Sequence, residues 1–467
     1  MALSSALFSG ISGLSTLGNA MQIIGDNIAN VNTVGFKNST FTFQDLLSQS
    51  TATMSGTSQV GRGTALGDIY SSFEQGSFES TGNTTDLAIG GDGFFVMRES
   101  ASENLFYTRA GNFRFDKDGY LINPEGYVVQ GWELDENGQD IGSIEDVLLS
   151  SFTSPPRETD KVKVIVNLDS DGDDNSVGVN ALSGAWNGAI IPPIGETAYE
   201  YQTTMKVYDS LGSTHDVTIY FDKANSTSAY EFIVTCNPDE DNRTITSASQ
   251  TGLLGRGVIT FSSGSGVITD ISMASNNGDG TWTALTTGAN LTDGYFTFAP
   301  EFIDGNAMSV QLDFGSRFDG SSWVNGSLST SQFARSSTTT FQSANGYGAG
   351  DLQGVNVDVD GIITGTYSNG QLIPLYRVAL AKFTNEQGLF KLGGNLFQAT
   401  RESGDAITNK PGSNGLGSIA PNSLEQSNVD LATEFVKMIS TQRGFQANSK
   451  IITVVDSMLQ ELINLKR

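Results

Sequence analysis

The sequence predicts a mainly β protein with an α-helix at each end. Three observations lead there. Apolar residues recur at helical spacing only near the termini; between them, short apolar runs alternate with Gly, Asn and Asp turns; and glycine is abundant, 54 of 467 residues against 10 prolines. Hydrophobic residues reach 38%, enough to build cores and to set the chain apart from collagen-like or disordered sequences. At 467 residues, two to four domains are expected.

Near the start, Leu3, Leu7, Leu14, Leu17, Met21, Ile24 and Ile28 follow alternating spacings of three and four, broken only at Gly10, with Ile11 beside it. This is a heptad seam on a narrow-striped helix. It stops at the breakers Asn30 to Gly35. The C-terminus repeats the pattern through Leu431, Phe435, Met438, Phe445, Ile452, Val455, Leu459 and Leu462, with Gln442 as a polar interruption. Ser427 is the expected N-cap, with Asp430 three residues on, for a helix over 428–465 about 57 Å long. Packing of both helices on a globular core is the plainer reading; stripes this narrow suit another helix better.

Strand-like segments fill the middle: 94–97, 112–115, 161–166, 217–221, 230–236, 258–261 and 310–314. Their spacing fits antiparallel sandwiches or barrels. Boundaries are expected at Pro155-Pro156 and near 336–343, so one β region is inserted into a domain built from both flanks. Residues 151–344 carry 22 acidic and 9 basic residues, 9 − 22 = −13.

Charge and composition exclude several functions. The formal net charge of −26 repels phosphates, so neither nucleic acid nor an anionic lipid surface is an expected partner. No run of about eighteen apolar residues predicts membrane insertion. Residues 1–36 contain no Lys or Arg, so a secretory signal with a basic n-region is not expected. Cys236 is the single cysteine and His215 the single histidine, which rules out an intrachain disulfide, an H-E-x-x-H site and a Cys-rich zinc site. Phosphate-loop, nucleophile-elbow and dinucleotide fingerprints are missing. No catalytic residue, cofactor or metal ligand is therefore expected. Residues 169–174 resemble the start of a calcium loop but carry Asp174 where glycine is needed, and read better as an acidic turn. Asp116 to Gly119 reads as a hairpin turn, and His215 and Cys236 as structural residues. A secreted all-β carbohydrate-active enzyme, using a carboxylate pair with Trp132, Trp186, Trp282 and Trp323, is the alternative of another class, beside an adhesin. Neither explains the terminal seams.

The most informative stretch is Asp26-Asn27-Ile28-Ala29-Asn30-Val31-Asn32-Thr33-Val34-Gly35-Phe36-Lys37. Physically it is a helix end: Asn27, Asn30 and Asn32 can satisfy backbone groups, Gly35 permits the turn, and Phe36 can anchor the departing chain. It resembles the N-terminal signature of the flagellar axial proteins, the family of rod, hook and hook–filament junction subunits. Supporting blocks are 87–96, 107–113, 126–132, 360–376, 388–397 and Leu424 to Leu431.

The resemblance covers 1–150 and 345–467. It implies an N-terminal D0 helix (1–32), a connecting segment (33–75), a D1 domain in two halves (76–150 and 345–422), inserted outer β domains D2 (151–344) and a C-terminal D0 helix (423–467). The D0 helices of the family are a coaxial, coiled-coil-like pair. Length separates the members: a distal rod protein lacks so large an insertion, and a junction protein has a different C-terminal half, so the chain looks like a hook member, with distal rod as runner-up. What this implies is a homopolymer forming a curved extracellular tube, a universal joint carrying torque from rod to filament. Export would be by the flagellar type III apparatus without a cleaved signal. Implied partners are the distal rod protein, the hook cap protein and the hook–filament junction protein. Some members are cross-linked through a cysteine, which makes Cys236 a candidate.

Overall fold

A computed structural model describes residues 2–53, 56–99, 102–135, 137–149, 152–178, 180–224, 226, 228–285, 290–303 and 305–465. The helices are α1 (Ala2–Ala29), the short α2 (Ala181–Ala185) and α3 (Leu431–Leu465); nearly everything else regular is strand. The chain divides into two compact units, residues 1–152 with 352–467, and residues 153–351.

In the first unit both halves of the chain share one antiparallel sheet. Strand Tyr127–Leu134 pairs with Phe94–Glu99 through Tyr127 to Val129 and with Leu372–Val378 through Gly131 to Glu133. Two smaller ladders repeat this knitting: Leu87–Gly90 with Ser418–Pro421, and Phe78–Ser80 with Ser423–Glu425. Strand Phe94–Glu99 is buried on both faces. Phe95 and Met97 join an aliphatic core with Ile89, Val129 and Leu380, whereas Phe94 and Val96 join an aromatic one with Tyr107, Phe383 and Phe397. That is the period of two expected of a strand packed on both sides. The turn 116–119 links the paired strands Arg114–Phe115 and Leu121–Ile122, with Gly119 at φ 90°.

The second unit is a sandwich. One sheet is a meander of six strands in chain order, from Tyr201–Tyr208 to Trp282–Leu285. The other is built on Lys161–Asp169, whose Val162, Val164, Val166 and Leu168 interdigitate with Val217, Ile219, Phe221 and Phe232 of the meander. Lys161–Asp169 runs antiparallel to Thr338–Ala344 but parallel to Val310–Asp313 and Ser331–Phe333. These two parallel pairings amend the antiparallel expectation. Parallel neighbours need long crossovers, and short local alternation does not reveal which distant segments return to the central strand.

The four tryptophans form no platform. Trp132 packs on the aromatic core of the first unit, Trp186 and Trp282 on a cluster around Leu182, and Trp323 on the sandwich core. His215 stacks on Phe302 at 3.9 Å between ring centroids, with Nδ1 2.6 Å from Glu240 and Nε2 3.3 Å from Asp209. Asp169 and Asp174 accept backbone N–H groups of their own turns, at Asp171 and Val177. Cys236 is 4% exposed, and burial pushes its thiol up to about 12. A cross-link between copies needs an accessible thiolate, so this geometry does not favour the cysteine as a cross-linking residue.

Candidate assembly interface

Helices α1 and α3 pack antiparallel. A β-carbon at Gly10 would lie 3.2 Å from Ile452, one at Gly13 2.9 Å from the Asn448 amide, and one at Gly444 3.2 Å from Leu17. Further along, Asn27 donates to Glu434 at 3.3 Å. The contact line on α1 is Gly10, Gly13, Leu17, Ala20, Ile24 and Asn27. Half of it, Gly10, Gly13 and Ala20, is small and lets two backbones approach. The larger Leu7, Leu14, Met21 and Ile28 are half-buried flanks. The side chains of Leu3 and Leu462 lie outside the described residues.

On α3 two rows spaced by seven face α1. One holds Met438, Ile452 and Leu459, all half-buried, and is broken at the exposed Phe445. The other is Glu434, Thr441, Asn448 and Val455, three of them polar, and its Glu434, Thr441 and Val455 are buried. A count of apolar residues misses most of this row. It also places Leu431, Phe435 and Phe445 on the seam. All three are exposed, Phe435 at 49%, and Phe435 lies one residue past the polar row.

The cap differs too. Asp430, not Ser427, caps α3, accepting from Ala432 N at 2.8 Å. Residues 427–430 precede α3, and the Asn428 side chain is committed elsewhere. It accepts from Asn38 N at 2.8 Å and donates to Ser72 O at 2.9 Å and Glu74 O at 3.1 Å.

The other face of α1 carries a hairpin from the connecting segment, Ser39–Asp45 paired with Thr64–Ser71. Thr64 N donates to Ser12 Oγ, and Thr16 Oγ1 donates to Thr64 O. At the end of α1, Asn27 is buried and brackets Ser39, accepting from its N–H and donating to its carbonyl, both at 2.9 Å. Asn30 donates to Asp26 O at 2.9 Å and accepts from Thr33 Oγ1, while Asn32 is exposed. Gly35 has φ 69°, and a β-carbon there would meet Ala110 N at 2.6 Å, so both conformation and space demand glycine. Phe36 is buried beside it.

Below the turn lies a buried ionic cluster. Lys37 Nζ is 2.7 Å from Glu425 Oε1, both side chains fully buried, and Arg109 Nη1 is 3.6 Å from Glu425 Oε2. Burial pulls the Lys37 ammonium below the ordinary lysine range; Glu425 opposes that shift and Arg109 adds to it. Arg109 also lies over the Phe94 ring and donates to Gly91 O at 2.8 Å.

The helix pair leaves much apolar surface bare: Phe8 and Ile11 on α1, and Val436, Ile439, Val454 and Met458 on α3, with Phe8 at 69% and Val436 at 68% exposure. Among the described residues no helix is long and apolar enough to cross a membrane, and no group of three His, Cys, Asp or Glu could hold a metal.

Four family models match in the order these elements occur. They are the Flagella basal body rod protein model at residues 7–37, the Flagellar hook protein FlgE/F/G D1 domain at 88–172, the Flagellar basal body protein FlaE D2 domain at 167–347 and the Flagellar basal body rod FlgEFG protein C-terminal model at 420–465. Full-length relatives share one name. The flagellar hook protein FlgE of Borreliella burgdorferi is 34% identical over 479 residues, covering 99% of each chain. That of Treponema pallidum is 31% identical over 484 residues, also covering 99% of each, and that of Escherichia coli is 29% identical over 459, covering 98%. Helix ends, connecting turn, knitted sheet and inserted sandwich all fall within that alignment, and the chain belongs to the flagellar hook protein family.

Proposed function

We propose that the chain is a structural subunit that polymerises with copies of itself into the curved, extracellular tube of the hook, where it works as a universal joint and not as an enzyme. The observation that carries this reading is the helix pair with apolar faces on its outside. Exposed side chains as large as Phe8, Phe435 and Val436, gathered on two paired helices, mark an interaction surface. A heterologous, non-closing contact supplies copies to cover them. Leu431, Phe435 and Phe445 then face neighbouring subunits, while Leu14, Leu17, Met21, Ile24, Met438, Ile452, Val455 and Leu459 serve the pairing of α1 with α3.

In this reading 1–32 and 423–467 are the D0 pair, 33–75 the connection, 76–150 and 345–422 the D1 domain, and 151–344 the outer region. The distal rod protein, hook cap protein and hook–filament junction protein are its axial neighbours, and the flagellar type III apparatus exports it.

Electron microscopy of the purified protein tests the proposal. Raising salt from about 0.01 M to about 0.1 M shortens the Debye length from roughly 30 Å to 10 Å, which should promote assembly of a chain of net charge −26. Curved tubes support a hook subunit, straight ones a rod subunit, and a stable monomer under all salts sinks the reading.

A further inference from the structure

Two short chain crossings join the helix pair to the β strands of its own unit, residues 30–38 leaving α1 and residues 426–430 entering α3. Two residues tie them together: Asn428, whose side chain accepts from Asn38 N at 2.8 Å, and the buried Glu425. Glu425 ends a strand paired with Phe78–Ser80, so its backbone is anchored in β structure. Its carbonyl accepts from Gly35 N at 2.7 Å. Its Oε1 accepts from Lys37 Nζ at 2.7 Å and from Gly76 N at 2.8 Å. Its Oε2 makes no hydrogen bond and faces the Arg109 guanidinium. Lys37 Nζ reaches on to Glu74 O at 2.7 Å. The first crossing, residues 74–76 and the base of the second crossing therefore converge on one fully buried carboxylate.

A buried ion pair is weak evidence for stability, because desolvation offsets the attraction; fixing a register is its better-attested use. We propose that Glu425 is a positioning residue that makes the two crossings move as one and so sets the direction in which the helix pair leaves the β strands. Without it only the Asn428 bonds hold the crossings to each other, and Lys37 loses its salt-bridge partner. In a torque-carrying tube that direction governs how the helical wall meets the outer domains; this last step rests on the hook reading above.

The test uses the full-length protein with Glu425→Gln, which keeps the acceptor oxygen and removes the charge, and Glu425→Leu, which removes both. Hydrogen exchange is followed by mass spectrometry in peptides covering 30–38, 72–78 and 426–430, beside strands such as 94–99. Glu425→Leu should speed exchange in those three peptides about tenfold or more, the equivalent of a lost charge-assisted hydrogen bond, with 94–99 unchanged. Glu425→Gln should fall between, and it carries the comparison if the leucine variant does not fold. Tubes of Glu425→Gln should differ in curvature from the parent. Exchange that is unchanged, or raised uniformly across the unit as a purely structural role predicts, overturns the proposal, as do variant tubes of parental curvature. A parent that forms no curved tube defeats the hook reading alone and leaves exchange to decide on Glu425.

Discussion

Gly13 of α1 backs directly onto Asn448 of α3, with room for no side chain between them. Gly13→Leu must displace the Asn448 side chain or push the helices apart, and overpacking of this kind costs typically about 1–3 kcal/mol. Circular dichroism should show a helical transition at lower temperature while the β signal melts as before. Polymer yield should fall with it. A leucine variant that assembles normally would show that the two helices do not pack this closely in the tube.

Val436→Asp probes the bare face. Val436 is 68% exposed, so the monomer should melt within about 0.5 kcal/mol of the parent. In the polymer the same charge would be desolvated without a partner, and pelleting assays should find no tubes. Leu14→Asp and Leu459→Asp, on half-buried flanks of the pairing, should both loosen the helices and block assembly. Parental assembly by the Val436 variant would refute the outer face as a contact.

Cys236 should be inert until its unit opens. With the thiol held at about 12 by burial, against about 9.0 for a free cysteine, modification by a thiol reagent at pH 8 should proceed only at the unfolding rate. The folded state retains the proton over a window in which the unfolded chain has lost it. Stability is therefore complete below about pH 9 and falls as pH rises toward 12, by roughly 1.4 kcal/mol per unit. Cys236→Ala should remove that part of the alkaline loss. Rapid labelling of the native protein would contradict the burial.

Truncation at 420 and at 426 should give different proteins. A fragment over 70–420 lacks both Lys37 and Glu425 and leaves the Arg109 side chain, 2% exposed, without its carboxylate. A fragment over 70–426 restores Glu425 and the strand paired with Phe78–Ser80. The longer fragment should be more stable by about 1–3 kcal/mol, because Glu425 still accepts from Gly76 N beside Arg109 although Lys37 is gone. Equal urea midpoints would mean that the ionic cluster contributes little to the β body alone.

The terminal helices and the β class were legible because periodicity records which side of an element is apolar. Hence α1 ends at Ala29, just before the breakers expected from Asn30. Legibility failed where contact is made by residues that carry no hydrophobic signal. Gly10, Gly13 and Ala20 form the pairing line through the absence of bulk, and Glu434, Thr441 and Asn448 are polar, so a count of leucines shifts the seam sideways. Ser427 looked like a cap because spacing shows a candidate without showing that Asn428 is already bonded to Asn38, Ser72 and Glu74. Glu425 sits in a motif that drew notice, yet its burial depends on Lys37 and Arg109, 388 and 316 positions away. The hairpin over 39–71 was read only as a connection, since its Phe41, Phe43 and Ile69 give too short an alternation to stand out.

The inserted unit also changes the order in which the molecule can fold. Gly131 pairs with Val378, 247 residues further along, and a chain made from its N-terminus holds the first strand long before the second exists. Residues 153–351 form an uninterrupted stretch that can fold meanwhile, and their ends meet, Thr153 pairing with Asp351. Once they do, the gap between Gly131 and Val378 shrinks to 22 residues on one side and 27 on the other. By the logarithmic law of loop closure this saves about 1.4 kcal/mol of entropy. The insert thus acts as an internal staple: it turns a pairing across its whole length into a short-range one.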